Sequence, residues 1–273
     1  MRLAISNIAW DTHEDHDVAE VLQKFNVDAI DIAPGKYFPD PVKVDEYDIL
    51  QVKQWWADQG IEITGMQSLL FGTKGLNLFG SKESQQAMLD HLSAVARIAK
   101  GLGATRLVFG SPKNRDRTGL SDEQTIAIAK DFFTKLGNIC NKHDVIFCLE
   151  PNPACYGANF MTNVQETFDA VSLINHPAIK MQLDIGAITT NQELISDVLT
   201  YSLNQIGYVH ISEPDLAVIG DCNTDHDSYA KAIKAHLDNP LASIEMVATQ
   251  DEPHITSIER ALDFVSQAYG STK

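Results

Sequence analysis

Four residues of ligand and acid–base type stand at the polar ends of four apolar runs. Glu150 closes Phe147-Cys148-Leu149-Glu150, Asp184 closes Met181-Gln182-Leu183-Asp184, His210 follows Tyr208-Val209, and Glu245 follows Ala242-Ser243-Ile244. Their separations of 34, 26 and 35 residues each match one strand-plus-helix unit, so the four meet only if successive units close on one another. Three carboxylates gathered at low dielectric repel one another and raise their own proton affinities unless a cation sits among them. Oxygen ligands with one imidazole suit one divalent ion, Mn2+ first, with Mg2+, Co2+ or Zn2+ as alternatives. The lack of a converging thiolate argues against a closed structural zinc site. Taken singly, each residue reads as a helix cap or an ion-pair partner; taken jointly, four such strand ends point to a metal.

The elements that must position them follow from periodicity. Short β-branched runs alternate with longer segments of helical period. Strands are expected at Leu3 to Ser6, Ala29 to Ile32, Ile61 to Gln67, Arg106 to Phe109, Val145 to Glu150, Ile179 to Asp184, Ile206 to Ile211 and Ser243 to Val247. Helices are expected at Asp15 to Phe25, Val44 to Gln59, Lys82 to Leu102, Asp122 to Lys142, Val164 to Ile174, Gln192 to Leu203, Asp227 to His236 and Ile255 to Ala268. Ser121 with Gln124, and Thr162 with Gln165, have the spacing of capping boxes. Gly60, Gly103 and Gly207 are expected at helix-to-strand returns. Eight successive βα units with no dividing linker predict a single domain over residues 1–273, an α/β chain folded as a (β/α)8 TIM barrel, whose functional side chains gather at the C-terminal strand ends. A doubly wound open sheet is the competitor. It would carry a glycine-rich turn after the first strand, and Ser6-Asn7-Ile8-Ala9-Trp10 has none.

Composition narrows the partners. With 21 Lys plus Arg against 37 Asp plus Glu, the 273-residue chain carries a formal charge of -16, which disfavours a nucleic-acid surface. No stretch reaches the roughly 20 apolar residues of a membrane span, and Met1 to Trp10 lacks a signal-peptide core. Cys140, Cys148, Cys155 and Cys222 form no C-x-x-C pair and read as reduced thiols of a cytoplasmic protein. A small-molecule ligand is the partner this leaves, and homo-oligomers stay open.

Further residues on the same rim are candidates for substrate contact, each with a plainer alternative. Gln67 and Ser68 end the third strand and could meet a hydroxylated substrate or serve only the loop. Asn152 and Glu213 follow ligand positions, as ligand-supporting partners or as loop and cap hydrogen bonders. His226 opens the seventh predicted helix, as a substrate contact or a solvated loop histidine. Lys113, with Arg115 and Arg117, forms the rim's basic cluster and could hold a phosphate or carboxylate, or pair with loop aspartates. Trp10, with Tyr37, Phe38 and Phe71, could wall a sugar face or simply pack beneath loops. Trp55 and Trp56 read as core or interface residues.

The segments Leu149-Glu150-Pro151-Asn152, Leu183-Asp184, His210-Ile211-Ser212-Glu213-Pro214 and Ser243-Ile244-Glu245-Met246 resemble the xylose-isomerase-like barrel superfamily, and within it the sugar or sugar-phosphate isomerases and epimerases. The resemblance spans essentially the whole chain. It implies one divalent metal held by Glu150, Asp184, His210 and Glu245, with Glu150 and Glu245 also serving as acid and base on opposite faces of a carbohydrate substrate. A metal chelating a carbonyl and its neighbouring hydroxyl acidifies the C–H between them, so a carboxylate can remove that proton and give an enediolate. Two departures stand out: Ala187 occupies the place of a substrate-binding histidine three residues after the strand-six Asp, and Ser212 to Gly220 lacks the arginine that often follows the strand-seven His. Two alternatives follow: a metal-dependent hydrolase of the AP endonuclease type, for which Gln67, Phe109 and Ala187 stand near places needing histidine, and a barrel that binds without catalysis.

Overall fold

In a computed structural model, which describes residues 1–270, eight parallel strands close in sequence order into a barrel. They are β1 (Arg2–Ser6), β2 (Ala29–Ile32), β3 (Glu62–Met66), β4 (Arg106–Phe109), β5 (Ile146–Leu149), β6 (Ile179–Asp184), β7 (Ile206–Ser212) and β8 (Leu241–Glu245). The ring is sealed by β8 on β1, from Arg2 opposite Leu241 to Ile5 opposite Ile244. The helices are α1 (Asp15–Lys24), α2 (Glu46–Asp58), α3 (Lys82–Leu102), α4 (Asp122–Lys142), α5 (Val164–Ile174), α6 (Ile185–Thr190), α7 (Ile195–Ser202), α8 (His226–His236) and α9 (His254–Tyr269). The expected (β/α)8 TIM barrel is therefore the fold. The last residues of the expected domain, 271–273, lie outside the described residues.

Alternation along each strand divides two cores. One set of side chains, including Ile5, Ile30, Leu107, Leu149, Leu183, Val209 and Ile244, packs outward against the apolar faces of the helices. The other set points into the barrel, and the pairs Cys148 and Glu150, Gln182 and Asp184, Tyr208 and His210, and Ser243 and Glu245 are each two residues apart. Low in the interior, Val108, Cys148 and Tyr208 form a separate apolar plug with Ile146 and Leu241. Above the plug, the fully buried Asp31 carboxylate lies 2.8 and 2.9 Å from the Tyr208 hydroxyl and accepts from Thr64 Oγ1 at 3.3 Å. Burial pushes Asp31 up to about 6 despite the attraction of His210 and these hydrogen bonds. Gly65 opposite leaves room for it: a Cβ there would stand 2.4 Å from Asp31 Oδ1 and force that carboxylate to shift.

Element ends differ from expectation in several places. β8 begins and ends two residues early, because Leu241 and Ala242 are already in register with β1. The expected helix Gln192 to Leu203 forms as α7, starting three residues later, and an unexpected short helix, α6, starts directly after β6. The box at Ser121 and Gln124 forms reciprocally. The expected Thr162–Gln165 box is displaced by one: Asn163 caps α5 by accepting from the Glu166 N–H at 2.8 Å, and Glu166 reaches back to the Thr162 N–H. Gly60 and Gly103 occupy left-handed returns. Gly207 instead lies inside β7 beside its register shift against β6, where a Cβ would come 2.6 Å from Lys180 Cβ.

Candidate metal centre and cavity

The four strand-end residues converge. One ligand atom from each of Glu150, Asp184, His210 and Glu245 lies within 4.8 Å of the others, and all four residues are buried. His210 Nδ1 stands 3.1 Å from Glu150 Oε1, 3.0 Å from Glu245 Oε2 and 3.9 Å from Asp184 Oδ2. Yet Nδ1 and Glu150 Oε1 make no well-aligned hydrogen bond, and neither has another partner. Buried polar atoms are nearly always paired. Donor atoms facing a common point rather than one another are what a cation among them requires, and the set of three carboxylates and one imidazole fits a divalent ion. Gly110 shapes the cradle: a Cβ there would fall 1.8 Å from Glu150 Oε2.

Neighbouring groups fix the ligands in place. Gln67 donates its side-chain N–H to Glu245 Oε1 at 2.6 Å, leaving Oε2 for the centre. Asp184 divides its oxygens: Oδ1 caps α6 by accepting from the Ala187 N–H at 2.5 Å, and Oδ2 accepts from Ser212 Oγ at 2.8 Å. Asp184 is thus both helix cap and cluster member. Arg115 is fully buried and stacks on Phe109, donating to Glu150 O at 2.7 Å and Gly110 O at 2.9 Å, so it ties the ends of β4 and β5 together. Burial brings its guanidinium down to about 10, against the opposing pull of Glu150.

Without a cation the cluster is electrostatically tense. Burial raises Glu150, and Glu245 raises it further against the pull of His210. Burial, then repulsion from Glu150 and Glu245, pushes Asp184 up to about 8. Burial would lower the His210 imidazole, but Glu245 and Glu150 outweigh it and hold the ring well above the usual histidine range. Burial would raise Glu245, but His210 and Gln67 outweigh it and bring that carboxyl below its ordinary value.

A cavity of about 400 Å3 opens onto Glu150, Asp184 and Glu245, walled by Pro151, Asn152, Pro153, Tyr156, Ala187 and Leu216. Glu213 and Asp215 also line it. Asn152 donates to Gly110 O at 2.9 Å, and its buried Oδ1 has no partner. Asp215 and Leu216 at the mouth are consecutive non-glycine residues with positive φ, 60° and 53°. The Asp215 N–H is tethered to Tyr156 Oη at 2.9 Å and the Leu216 N–H to Glu213 O at 3.1 Å.

Other sequence candidates are placed elsewhere. Trp10 is completely buried, packs edge-on against Trp56 and donates its indole N–H to Asp15 at 2.8 Å, so it is not on the cavity wall. His226 is an interior residue rather than a solvated one: Nδ1 lies 2.8 Å from Tyr269 Oη and Nε2 lies 3.2 Å from Glu213 Oε1, while Thr224 donates to the other Glu213 oxygen. Lys113 is exposed in a short turn beside the mouth. Arg117 pairs with Asp122, Phe38 is buried, and Phe71 is 86% exposed. Sequence reasoning missed Gly110, Ser212, Asp215 and the structural use of Arg115. Ser212 alone carried a signal, being two residues past His210 and so on the same strand face.

A closed parallel barrel with a buried carboxylate–imidazole cluster at its C-terminal mouth defines a class of site-bearing barrels. The chain belongs to the xylose isomerase-like TIM barrel family, whose model matches residues 19–268. Among solved structures it is similar to a D-psicose 3-epimerase from Clostridium cellulolyticum H10, with 17% identity, TM-score 0.82 and coverage of 99% of this chain and 100% of that one. It is also similar to an L-ribulose 3-epimerase (14%, 0.82, 98% and 94%) and to a 3-keto-D-glucoside 4-epimerase from E. coli (13%, 0.78, 98% and 99%). At these identities the likeness shows the fold. No curated protein sequence matches. Among the described residues, no helix is long and apolar enough to cross a membrane, and all four cysteines are free.

Proposed function

We propose that the protein is a divalent-metal-dependent epimerase or isomerase of a small carbohydrate, with Mn2+ the preferred ion among Mn2+, Mg2+, Co2+ and Zn2+. The observation that carries the reading is the convergence of four buried donor groups, with Glu150 Oε1 and His210 Nδ1 unsatisfied, where a sugar-sized cavity ends. Glu150, Asp184, His210 and Glu245 would hold the ion. When bound, it would polarise a substrate carbonyl and acidify the adjoining C–H. The similar structures are those of sugar epimerases, which supports the same chemistry.

Glu150 and Glu245 would move the proton. Both carboxyls line the cavity, and Gln67 holds Glu245 through Oε1. Glu245 takes the proton from the carbon beside the carbonyl, leaving an enediolate. Glu150 returns a proton to the other face of that carbon for epimerisation, or to the adjoining carbon for isomerisation. Asp184 and His210 anchor, and Gln67 and Asn152 orient. The free thiols support a cytoplasmic setting. The hydrolase alternative gains nothing, since Gln67 is committed to Glu245 and Phe109 packs among Phe133 and Phe147.

The test is solvent exchange. Glu245→Gln should abolish deuterium incorporation at a substrate C–H on a panel of ketoses while the folded state persists. Wild-type-like exchange in that variant, or metal uptake by the wild type with no exchange on any ketose, would remove the assignment.

A further inference from the structure

Every charged side chain that lines the cavity is an acid: Glu150, Asp184, Glu213, Asp215 and Glu245. No lysine, arginine or histidine is among the lining residues. None of the rim's three cations is among the lining residues. Arg115 is fully buried on two backbone carbonyls, Arg117 pairs with Asp122, and Lys113 is exposed next to Pro112 of the wall. A divalent ion among the three cluster carboxylates would still leave them one negative charge in excess, before Glu213 and Asp215 are added.

Asp215 differs from the other four. Glu213 is occupied by Thr224, His226 and the Gly220 N–H, and the remaining three form the cluster. The Asp215 carboxylate makes no ion pair or hydrogen bond among the described residues, although its backbone is held at φ 60° by Tyr156. A non-glycine residue in that conformation carries a cost of order 1–3 kcal/mol that surrounding contacts must hold in place. Asp215 is exposed and lines the cavity, so its unpaired carboxylate is open to a ligand there.

We infer that the cavity selects an unphosphorylated, uncharged polyol, whose far hydroxyls donate to Asp215, and rejects phosphate esters of the same sugar. A carboxylate accepts hydroxyl hydrogen bonds well and repels a phosphate dianion across a cavity of this size. This rests on the carbohydrate reading above and adds the charge class of the substrate and the residue that reads it.

The experiment is calorimetric titration of the Mn2+-loaded protein with D-fructose, D-psicose, D-tagatose and L-ribulose, each against its terminal phosphate ester, with deuterium exchange followed in parallel. At least one free ketose should bind tenfold or more tightly than its ester, and the gap should narrow with added salt. Asp215→Asn keeps the left-handed backbone, which asparagine tolerates. It should weaken the free sugar and shrink the preference severalfold. Binding of an ester equal to or tighter than its parent would overturn the inference, as would an unchanged preference in Asp215→Asn or no binding of any free ketose. Ester binding that disappears in Lys113→Ala would identify a phosphate site and overturn it too. Selective binding of a free ketose without exchange leaves this inference standing and removes the catalytic reading alone.

Discussion

At Gly110 the geometry allows no side chain at all. An added methyl group would occupy the space of Glu150 Oε2, and the carboxylate is the part able to move. Gly110→Ala should therefore leave the barrel folded while weakening metal uptake at least tenfold, measured by metal titration against the wild type. Arg115 makes the complementary case. Its replacement by Ala removes two donors from Glu150 O and Gly110 O, of which Gly110 O keeps Asn152. Leaving Glu150 O unpaired and the arginine's volume empty should cost about 2–4 kcal/mol in denaturant unfolding. A loss under about 0.5 kcal/mol would show that water replaces the guanidinium.

Among the elements, the βα loops carry the cavity and the caps set where each helix begins. Ser121→Ala should destabilise by about 1 kcal/mol, because the reciprocal bonds with Gln124 satisfy two otherwise unpaired N–H groups. Gly207→Ala should cost more than Gly60→Ala, since the first meets Lys180 and Cys148 inside the barrel whereas the second meets open space and only backbone strain. The convergence of the four residues and the barrel were readable because each residue stands at the interior-facing end of a strand whose period and spacing survive in one dimension. The β8 register was not, since Leu241 and Ala242 become strand through pairing with β1, a contact spanning almost the whole chain. The short α6 was hidden for another reason: its N-cap is Asp184, a residue whose sequence context speaks for the cluster. Lys113, Trp10 and His226 have the right chemistry on the right rim. Which way a loop side chain turns depends on tertiary partners such as Asp15, Glu213 and Tyr269, which no local pattern encodes.

For the molecule as a whole, the cluster couples stability to pH. Asp184, raised to about 8, and His210, held well above the ordinary histidine value, bind protons more tightly folded than unfolded. Between the ordinary Asp value of 3.8 and about 8, the folded state holds the extra protons, so the stabilisation is present at the acid end of that window and is lost as pH rises. The melting temperature of chelator-treated protein should accordingly fall from about pH 5 to about pH 8. Saturating Mn2+ should raise it, and by more at the alkaline end, because binding displaces the same protons. Elemental analysis should give one equivalent per chain. A chelated protein that melts equally at both pH values, or gains nothing from any divalent ion, would contradict the cage.

The order of the strands has one more consequence. All four cluster residues come from the ends of β5 to β8, so during synthesis the first half of the barrel leaves the ribosome with none of them. Three acidic or imidazole groups are then translated before Glu245, the residue that completes the set on the strand that also seals the ring. Assembly of the cluster is thus tied to the closing of the barrel by the nascent chain, and products truncated before β8 lack the fourth group that the proposed cation site needs.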